Sequence, residues 1–379
     1  MKIAQYHFTE KKEWAQTGGT EAISPSLLIV FGQRQVIESS EAIGQLRQKF
    51  PEAQMIGCST SGEILEAKVY DGTVTATAIQ FENTQVVSHQ LVIDNTDESY
   101  DAGRKIVSMF NHNNLRHLFV LTDGLVVNGS EFVRGMQEEL PQGVSVTGGL
   151  AGDGPDFVKT LVFTHEAAPG SNIIAAVGFY GEGLTLGYAS MGGWDSFGIE
   201  RNVTKSKHNV LYELDGEPAL DLYKSFLGEK ASELPASALL FPLSIRTNSD
   251  ERPIVRTILA INEEDKSMTF AGDIPQGSYV RLMKANVDRL TDGSMEAAEK
   301  SMADWDGKTP DLAILISCVG RKLVLKQMVE EEVETAQNQF GDDTVITGFY
   351  SYGEISPFMK FLKCELHNQT MTVTLMSEK

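Results

Sequence analysis

Residues 26–32 read SLLIVFG, and residues 57–64 read GCSTSGEI. The first stretch is an apolar run of strand length, and the second forms a glycine turn with an acid after another apolar run. Between them, an apolar helix face that includes Ile43 and Leu46 ends before Pro51. This order predicts a β-α-β unit, whose two strands are parallel and joined by a right-handed crossover in nearly all cases.

The same order of elements recurs twice along the chain. The second copy begins with HLFVLTDGL at residues 117–125, and its glycine turn is GGLAGDG at residues 148–154. The third begins with LAILISCVGR at 312–321, and its turn is GFYSYGEI at 348–355. Ligands of open α/β folds bind at the carboxyl ends of parallel strands, where glycine permits positive φ and close backbone approach. We therefore expect the six strand-end loops to converge on one or two clefts.

The three units predict an α/β fold with mixed sheets. Segments rich in β-branched residues follow the glycine turns, such as TVTATAIQF at 73–81, and predict antiparallel strands added to each unit. A long acidic helix is expected over residues 322–340. The stretch between the second and third copies lacks the pattern. We therefore expect two domains, at residues 25–210 and 211–376, in which mixed sheets of repeated β-α-β units are flanked by helices.

The composition is that of an acidic protein of ordinary polarity. The chain has 379 residues, enough for two or three domains, and a net charge of −20. Binding to nucleic acid needs clustered Lys and Arg, so the charge argues against it. The sequence contains no apolar run long enough to span a bilayer, and its three cysteines are too far apart to suggest a disulfide framework. We expect a cytoplasmic protein with neither nucleic-acid nor membrane partners.

The serine-rich turn at residues 57–62 bears a superficial likeness to the nucleophile elbow of hydrolases. That elbow needs G-x-S-x-G after a strand, and neither Ser59 nor Ser61 has this frame. A backbone cradle for a ligand, or an ordinary turn, is therefore favoured over catalysis. The turn at 148–154 lacks the G-x-G-x-x-G spacing of dinucleotide sites, and no P-loop Lys follows it.

Arg321 and Cys318 lie where the first strand of the third unit ends. An Arg beside free backbone NH groups at a helix start suits a carboxylate or phosphate. An ion pair between Arg321 and Glu354 of the neighbouring turn is an equally good structural explanation. Cys58 and Cys318 both lie in strand-end loops, where a small buried hydrophobe is more common than a nucleophile.

The seven histidines show no metal-binding spacing. None has an i, i+4 partner together with an acid, and the sequence contains no Cys-x-x-Cys. Zinc and covalently attached haem are therefore not expected. His208, in an aromatic-rich segment, is the better candidate for a single ligand, and His367 lies in a predicted turn.

Eight motifs follow one another in the order GCSTSGEI, LTDGL, TGGLAGDG, GGWDSFG, LDGEPALDLY, SCVGR, GFYSYGEISP and HNQTMTVTL. With these motifs the chain resembles the FIST (F-box and intracellular signal transduction) domain family over about residues 25–376. The FIST N part extends to about residue 210, and the FIST C part follows. The resemblance implies a sensory module that binds a small ligand, for which amino acids have been suggested.

A branch of stand-alone FIST proteins resembles this chain in length and is described as haem proteins that sense nitric oxide and control a partner histidine kinase. This likeness implies haem b, with His208 or His367 as alternative axial ligands, although no haem-ligand motif of the branch is recognised here. Our leading interpretation is a cytoplasmic haem sensor for nitric oxide that regulates a histidine kinase. The alternatives are a haem-free sensor of a small molecule such as an amino acid, and an enzyme that uses Cys58 or Cys318. Homo-oligomerisation is left open.

The residues expected to bind the ligand lie in the strand-end loops of the three units. They are Cys58, Ser59, Ser61, Glu63, Asp123, Gly149, Asp153, Cys318, Arg321, Tyr352 and Glu354.

Overall fold

The computed structural model describes residues 1–234, 236–248, 252–303, 305 and 308–378. Within these residues the strands form four sheets, three of six strands and one of eight. Each six-stranded sheet is built on one of the three repeated units. The mixed sheets with flanking helices confirm the predicted α/β class.

The first unit is a parallel strand pair extended by antiparallel strands. Its elements are β1 (Lys2–Phe8), β2 (Trp14–Gly19), β3 (Leu27–Gly32), α1 (Arg34–Glu38), α2 (Glu41–Lys49), β4 (Gln54–Ser59), β5 (Glu63–Leu65), β6 (Lys68–Tyr70) and β7 (Val74–Gln80). β3 and β4 are parallel, and β7 lies antiparallel to β3. α2 buries Ala42, Ile43 and Leu46, as its apolar spacing predicts.

The second unit repeats this plan. Its elements are β8 (Gln85–Val92), α3 (Ser99–Ser108), β9 (Leu115–Thr122), α4 (Gly129–Glu139), β10 (Ser145–Leu150), β11 (Val162–Thr164) and β12 (Ile173–Tyr180). β9 and β10 are parallel, and β12 lies antiparallel to β9. Asn128 caps α4 by accepting hydrogen bonds from the amides of Ser130 and Glu131.

An inserted sheet separates the first strand of the third unit, β13 (Leu184–Met191), from the rest of that unit. The insertion comprises β14 (Asp195–Lys207), β15 (Val210–Leu214), β16 (Glu217–Pro218), α5 (Ala219–Leu227), β17 (Leu243–Arg246), β18 (Ile254–Arg256), β19 (Ile258–Asn262), β20 (Ser267–Phe270) and β21 (Tyr279–Lys284). β14 pairs antiparallel with β15. The boundary predicted near residue 210 therefore lies within a β-hairpin of this fourth sheet.

The third unit resumes after the inserted sheet. It contains α6 (Val287–Ser301), β22 (Leu312–Cys318), α7 (Val319–Leu325), α8 (Val329–Phe340), β23 (Val345–Ser351), β24 (Gly353–Pro357), β25 (Cys364–His367) and β26 (Met371–Glu378). The prediction of a single helix over residues 322–340 is wrong. Lys326 has φ = 54°, and a 3-10 turn over Lys326–Met328 separates α7 from α8.

The three units exchange strands in a ring. β5 of the first unit pairs with β23 of the third, β24 of the third pairs with β10 of the second, and β11 of the second pairs with β4 of the first. All three exchanged strands are antiparallel to their hosts. The units therefore have pseudo-threefold symmetry within one chain.

A central core joins the three sheets. Its buried residues include Phe31 of the first unit, Phe119 of the second and Phe349 of the third. The rings of Phe31 and Phe349 lie 4.6 Å apart. Burying a large apolar side chain stabilises a protein by roughly 1.5–3 kcal/mol, so this shared core holds the glycine turns of the three units in fixed relative positions.

Candidate functional site

The three glycine turns meet at the pseudo-threefold axis. Backbone hydrogen bonds close the ring, from the Ser61 amide to the Tyr350 carbonyl (2.8 Å), from Tyr352 to Leu150 (3.1 Å) and from Gly152 to Ser59 (2.9 Å). These bonds define equivalent positions in the three units: Ser59, Leu150 and Tyr350 form one set, and Ser61, Gly152 and Tyr352 form the next. Because the turns also end the parallel strands, the sites beside them lie where open α/β folds bind ligands.

The loops between the first strand and its helix differ among the units. Only Gln33 separates β3 from α1, and α7 follows β22 directly, whereas residues 123–128 separate β9 from α4. Asp123 holds this longer loop, since its carboxylate accepts hydrogen bonds from the amides of Leu125 (2.8 Å) and Val126 (3.0 Å). The helix of the second unit therefore begins after six intervening residues, a longer gap than those that precede its counterparts.

In the first and third units, basic side chains of the protein itself fill the space beside the neighbouring turn. The Arg34 Nε lies 3.6 Å from an Asp153 carboxylate oxygen. The Lys322 Nζ donates to the Ser61 carbonyl (2.8 Å) and to the Asp71 carboxylate. Both cations thus contact the turn of the adjacent unit.

The equivalent space in the second unit is a cleft of about 260 Å³. We call it the open cleft; it is lined by Thr96, Gly124, Leu125, Val126, Val127, Asn128, Gly129, Leu150, Phe157, Asn209, Leu259, Phe270, Ala271, Gly272, Tyr352 and Leu366. Its walls come from the second unit, the third unit and the inserted sheet. The lining combines apolar side chains with a substantial share of polar groups, and small-molecule sites use both kinds of contact.

An aromatic pair lines one side of the open cleft. The rings of Phe157 and Tyr352 stack with centroids 4.2 Å apart and planes 7° from parallel. The Tyr352 hydroxyl donates to the Asp153 carboxylate, and Asp153 also accepts from the backbone amides of Phe157 and Val158, both at 3.0 Å. Phe157 is 37% exposed with φ = 52°. This loop thus places an aromatic ring at the wall of the cleft.

Polar contacts join the open cleft to the inserted sheet. The Asn128 side-chain amide donates to the Asp273 carboxylate (2.8 Å) and so links the second unit to the inserted sheet. Within the inserted sheet, the Asn209 side-chain amide donates to the Phe270 carbonyl (2.8 Å). A Cβ on Gly124 would collide with the Ala151 carbonyl, so close backbone packing requires glycine there. The cleft therefore joins the inserted sheet to the second unit.

Glu63 and Glu354 lie in the turns but not in the open cleft, because both side chains are buried. Burial raises the pKa of each carboxyl to about 8. Hydrogen bonds from the Thr60 hydroxyl to Glu63 and from the Ser351 hydroxyl to Glu354 lower the pKa and offset part of this rise. Both acids are therefore largely protonated at neutral pH.

Among the other predicted ligand residues, Tyr352 lines the open cleft, and Asp123 and Asp153 support its walls from behind. Ser59, Ser61 and Gly149 lie in the contacts between the turns. The turns converge because the units exchange strands.

Arg321 is not available to a ligand, in contrast to one of the two expectations. Its side chain is fully buried. It donates to the Glu332 carboxylate from Nη2 (2.7 Å), to the Leu290 carbonyl (2.7 Å) and to the Gly192 carbonyl. The expected ion pair with Glu354 is also replaced, since Glu332 on α8 is the partner. Arg321 therefore ties α6, α7 and α8 together.

Cys58 and Cys318 do not face a pocket either. Both thiols are buried, and burial raises the pKa of each well above its ordinary value. Since the thiolate is the reactive form, neither residue suits nucleophilic chemistry.

The two histidines proposed as haem ligands do not provide a haem site. His208 is exposed at the turn between β14 and β15, outside any apolar enclosure. His367 is buried, its Nε2 lies 2.8 Å from the Ser356 carbonyl, and burial lowers its pKa to about 4. The described residues that line the open cleft include no His, Cys or Met, and the Tyr352 hydroxyl is engaged by Asp153. These groups do not fit haem iron.

Several cleft residues were not expected from the sequence, notably Phe157, Asn128, Asn209 and Leu259. Asn128 carries a sequence signal, because Asn before a helix is a common cap. Leu259 and Asn209 belong to the inserted sheet, whose docking onto the second unit has no local signature.

The described residues lack two further features, a metal cluster and a membrane-spanning helix. They contain no cluster of three or more His, Cys, Asp or Glu side chains arranged to hold a metal ion. They also contain no helix with the length and apolar character needed to cross a membrane.

The sequence matches two known protein domains, one after the other. Residues 26–217 match the FIST N domain, and residues 219–357 match the FIST C domain. The chain belongs to the FIST family. FIST domains are sensory domains of signal transduction. The open cleft is lined by residues from both matched regions, including Gly124 and Leu259.

The FIST protein is similar to the uncharacterized protein MJ1623 of Methanocaldococcus jannaschii. The two are 24% identical over 327 residues, a match covering 78% of this chain and 60% of the relative. This chain thus spans 60% of the length of that relative, whose name assigns no function.

Proposed function

We propose that the FIST protein senses a small molecule that binds, without haem, in the open cleft. The observation that carries this proposal is the difference among the three equivalent sites: two hold the protein's own Arg34 and Lys322, and the third is open. A volume of about 260 Å³ suits a metabolite of amino-acid size.

The position of the open cleft suggests how binding is transmitted. A ligand there would touch the loop after β9, the turn after β23 and the inserted sheet together. Binding would favour the arrangement in which these three elements fit the ligand, and such differential affinity is what shifts a population between states. We propose that a partner protein reads this change in the cytoplasm, and that the partner is a histidine kinase.

Haem and nitric oxide remain a prediction of the resemblance alone. Neither His208, which is exposed, nor His367, which is buried against the Ser356 carbonyl, supports it. Protein produced with ample haem and then desalted tests it through the Soret absorption. A retained Soret band that shifts when nitric oxide is added to the ferrous protein would replace the haem-free proposal.

The haem-free proposal predicts ligand stabilisation that depends on the open cleft. Leu259 lines the cleft and is 42% exposed, so Leu259→Trp fills the cleft with little cost to folding. A ligand at 100 times its dissociation constant stabilises a protein by about 2.7 kcal/mol. We expect one or more compounds of a metabolite collection to raise the melting temperature of the native protein and to leave that of Leu259→Trp unchanged.

Leu362→Trp is the matched control, because Leu362 is 46% exposed and lies outside the open cleft. It should respond to every active compound as the native protein does. Equal stabilisation of Leu259→Trp and Leu362→Trp would contradict binding in the open cleft.

A further inference from the structure

We propose that the ligand of the open cleft carries an amine or guanidinium group, and that this cation binds beside Gly353. This inference rests on the proposed function and specifies the chemistry of the ligand. It follows from what occupies the two equivalent sites and from one buried side chain that lacks a partner.

The two filled sites place a cation against the same position of the neighbouring turn. Asp153, Gly62 and Gly353 are equivalent, since each follows one of the residues Ser61, Gly152 and Tyr352 that close the ring of turns. Arg34 reaches Asp153, and the Lys322 Nζ lies where a Cβ on Gly62 would be. The atoms nearest to a Cβ built on Gly353 belong to Leu366 (3.1 Å), Asn368 (3.5 Å) and Leu150 (3.5 Å), and none of these three side chains is a cation. A ligand cation would complete the set.

The acceptors of the Lys322 site have counterparts next to the open cleft. Lys322 binds the Ser61 carbonyl and the Asp71 carboxylate. The carbonyl equivalent to that of Ser61 belongs to Tyr352, which lines the cleft.

The counterpart of Asp71 follows from strand register. Glu63 pairs with Tyr70 at the end of β6, and Glu354 pairs with His367 at the end of β25. The residues that follow these two strands, Asp71 and Asn368, are therefore equivalent to each other.

Asn368 has an unused acceptor. It is 1% exposed, its Nδ2 donates to the His367 carbonyl (3.0 Å), and its Oδ1 has no hydrogen-bond partner among the described residues. A buried polar atom without a partner costs roughly 1–3 kcal/mol. A Cβ built on Gly353 would lie 3.1 Å from the Leu366 Cδ1 and 3.5 Å from both the Asn368 Nδ2 and the Leu150 Cδ2. Because Leu366 and Leu150 line the cleft, the Asn368 amide lies directly behind its wall.

Other features also favour a cation. The Phe157 ring, which stacks on Tyr352 with one face and is 37% exposed, offers its other face to a positive group. The net charge of −20 attracts cations over long range. Arg256, behind the cleft wall, offers the competing possibility of a bound anion. Its guanidinium is 3% exposed and donates to the carbonyls of Leu366 (2.9 Å) and Asp273 (3.4 Å). Those bonds hold the guanidinium inside the protein, next to the cleft-lining Gly272.

The test compares probes of similar size and different charge. Isothermal titration calorimetry of the native protein with agmatine, n-butylamine, n-butanol and n-butyrate should show that agmatine and n-butylamine bind. Both should bind at least about tenfold more tightly than n-butanol and n-butyrate, as expected for hydrogen bonds to a charged group.

Variants locate the binding. Leu125 lines the cleft and is 40% exposed, so Leu125→Lys introduces a tethered ammonium and should abolish agmatine binding, while Leu125→Met should keep it. Asn368→Leu should weaken agmatine binding about tenfold or more. If Asn368→Leu fails to fold, Leu125→Lys alone decides whether agmatine binds in the open cleft.

Failures of the two proposals are distinguishable. Binding of n-butanol or n-butyrate that is lost in Leu259→Trp, without binding of either amine, would retain the open cleft as the sensory site and overturn the cation. Amine binding unchanged in both Leu259→Trp and Leu125→Lys would overturn the open cleft itself. Absence of amine binding to the native protein would overturn the inference.

Discussion

Glu63 and Glu354 are buried acids in equivalent turns, and they make the stability of the protein depend on pH. Burial raises the pKa of each to about 8 from an ordinary value of 4.5. Between these values the folded protein holds protons that the unfolded chain releases, so stability falls as pH rises through this window. The buried histidines His117 and His367 act in the opposite direction, since burial lowers their pKa values to about 3 and 4. Their effect is confined to pH below about 6.5.

Above pH 6.5 the two carboxyls therefore determine the trend. We predict that the free energy of unfolding falls by up to about 1.4 kcal/mol per pH unit for each carboxyl between pH 6.5 and 8. Urea unfolding at pH 6.5, 7.5 and 8.5 measures this dependence of the free energy of unfolding on pH. Glu63→Gln should halve the slope, whereas Glu41→Gln, on the surface of α2, should leave it unchanged. A slope that is the same in Glu63→Gln and the native protein would show that Glu63 does not titrate in this range.

At the scale of elements, Arg321 joins three helices through one buried charge. Removing one partner of a buried ion pair costs about 3–5 kcal/mol, because the other charge stays buried and unpaired. We predict that Arg321→Met lowers the free energy of unfolding by that amount in urea. The double variant Arg321→Met/Glu332→Gln should lose less.

Ligand binding distinguishes this structural role of Arg321 from the expected role as a ligand-binding residue. Active compounds should stabilise Arg321→Met by as much as they stabilise the native protein, since Arg321 lies outside the open cleft. A variant with native stability and no ligand response would instead make Arg321 a ligand residue.

The sequence predicted the elements whose signals are local. The three β-α-β units, their glycine turns and the antiparallel additions follow from apolar runs, Gly and Pro. The break at Lys326 was missed, because the acidic segment keeps a helical pattern across it. The burial of Arg321 was missed for a different reason: its acceptors Gly192 and Leu290 come from distant parts of the chain.

At the scale of the whole molecule, the strand exchange among the units is what creates the candidate site. The pairing of β5 with β23 joins residues near 64 and 348, and no local pattern encodes such a long-range partner. The convergence of the turns could be predicted from the triplicated pattern. Which of the three sites stays open could not, because it depends on the loop at residues 123–128 and on the placement of Arg34 and Lys322.

The central claim is that the second unit holds the ligand site because the other two sites are filled by the protein itself. A crystal structure of the FIST protein with agmatine tests it most directly. We predict density for agmatine between Leu259 and the Tyr352 ring, with one cationic end near Gly353 and Asn368, and with Arg34 and Lys322 still against their own turns. Agmatine in place of Arg34 or Lys322, or an open cleft that stays free of agmatine while another surface binds it, would contradict the account.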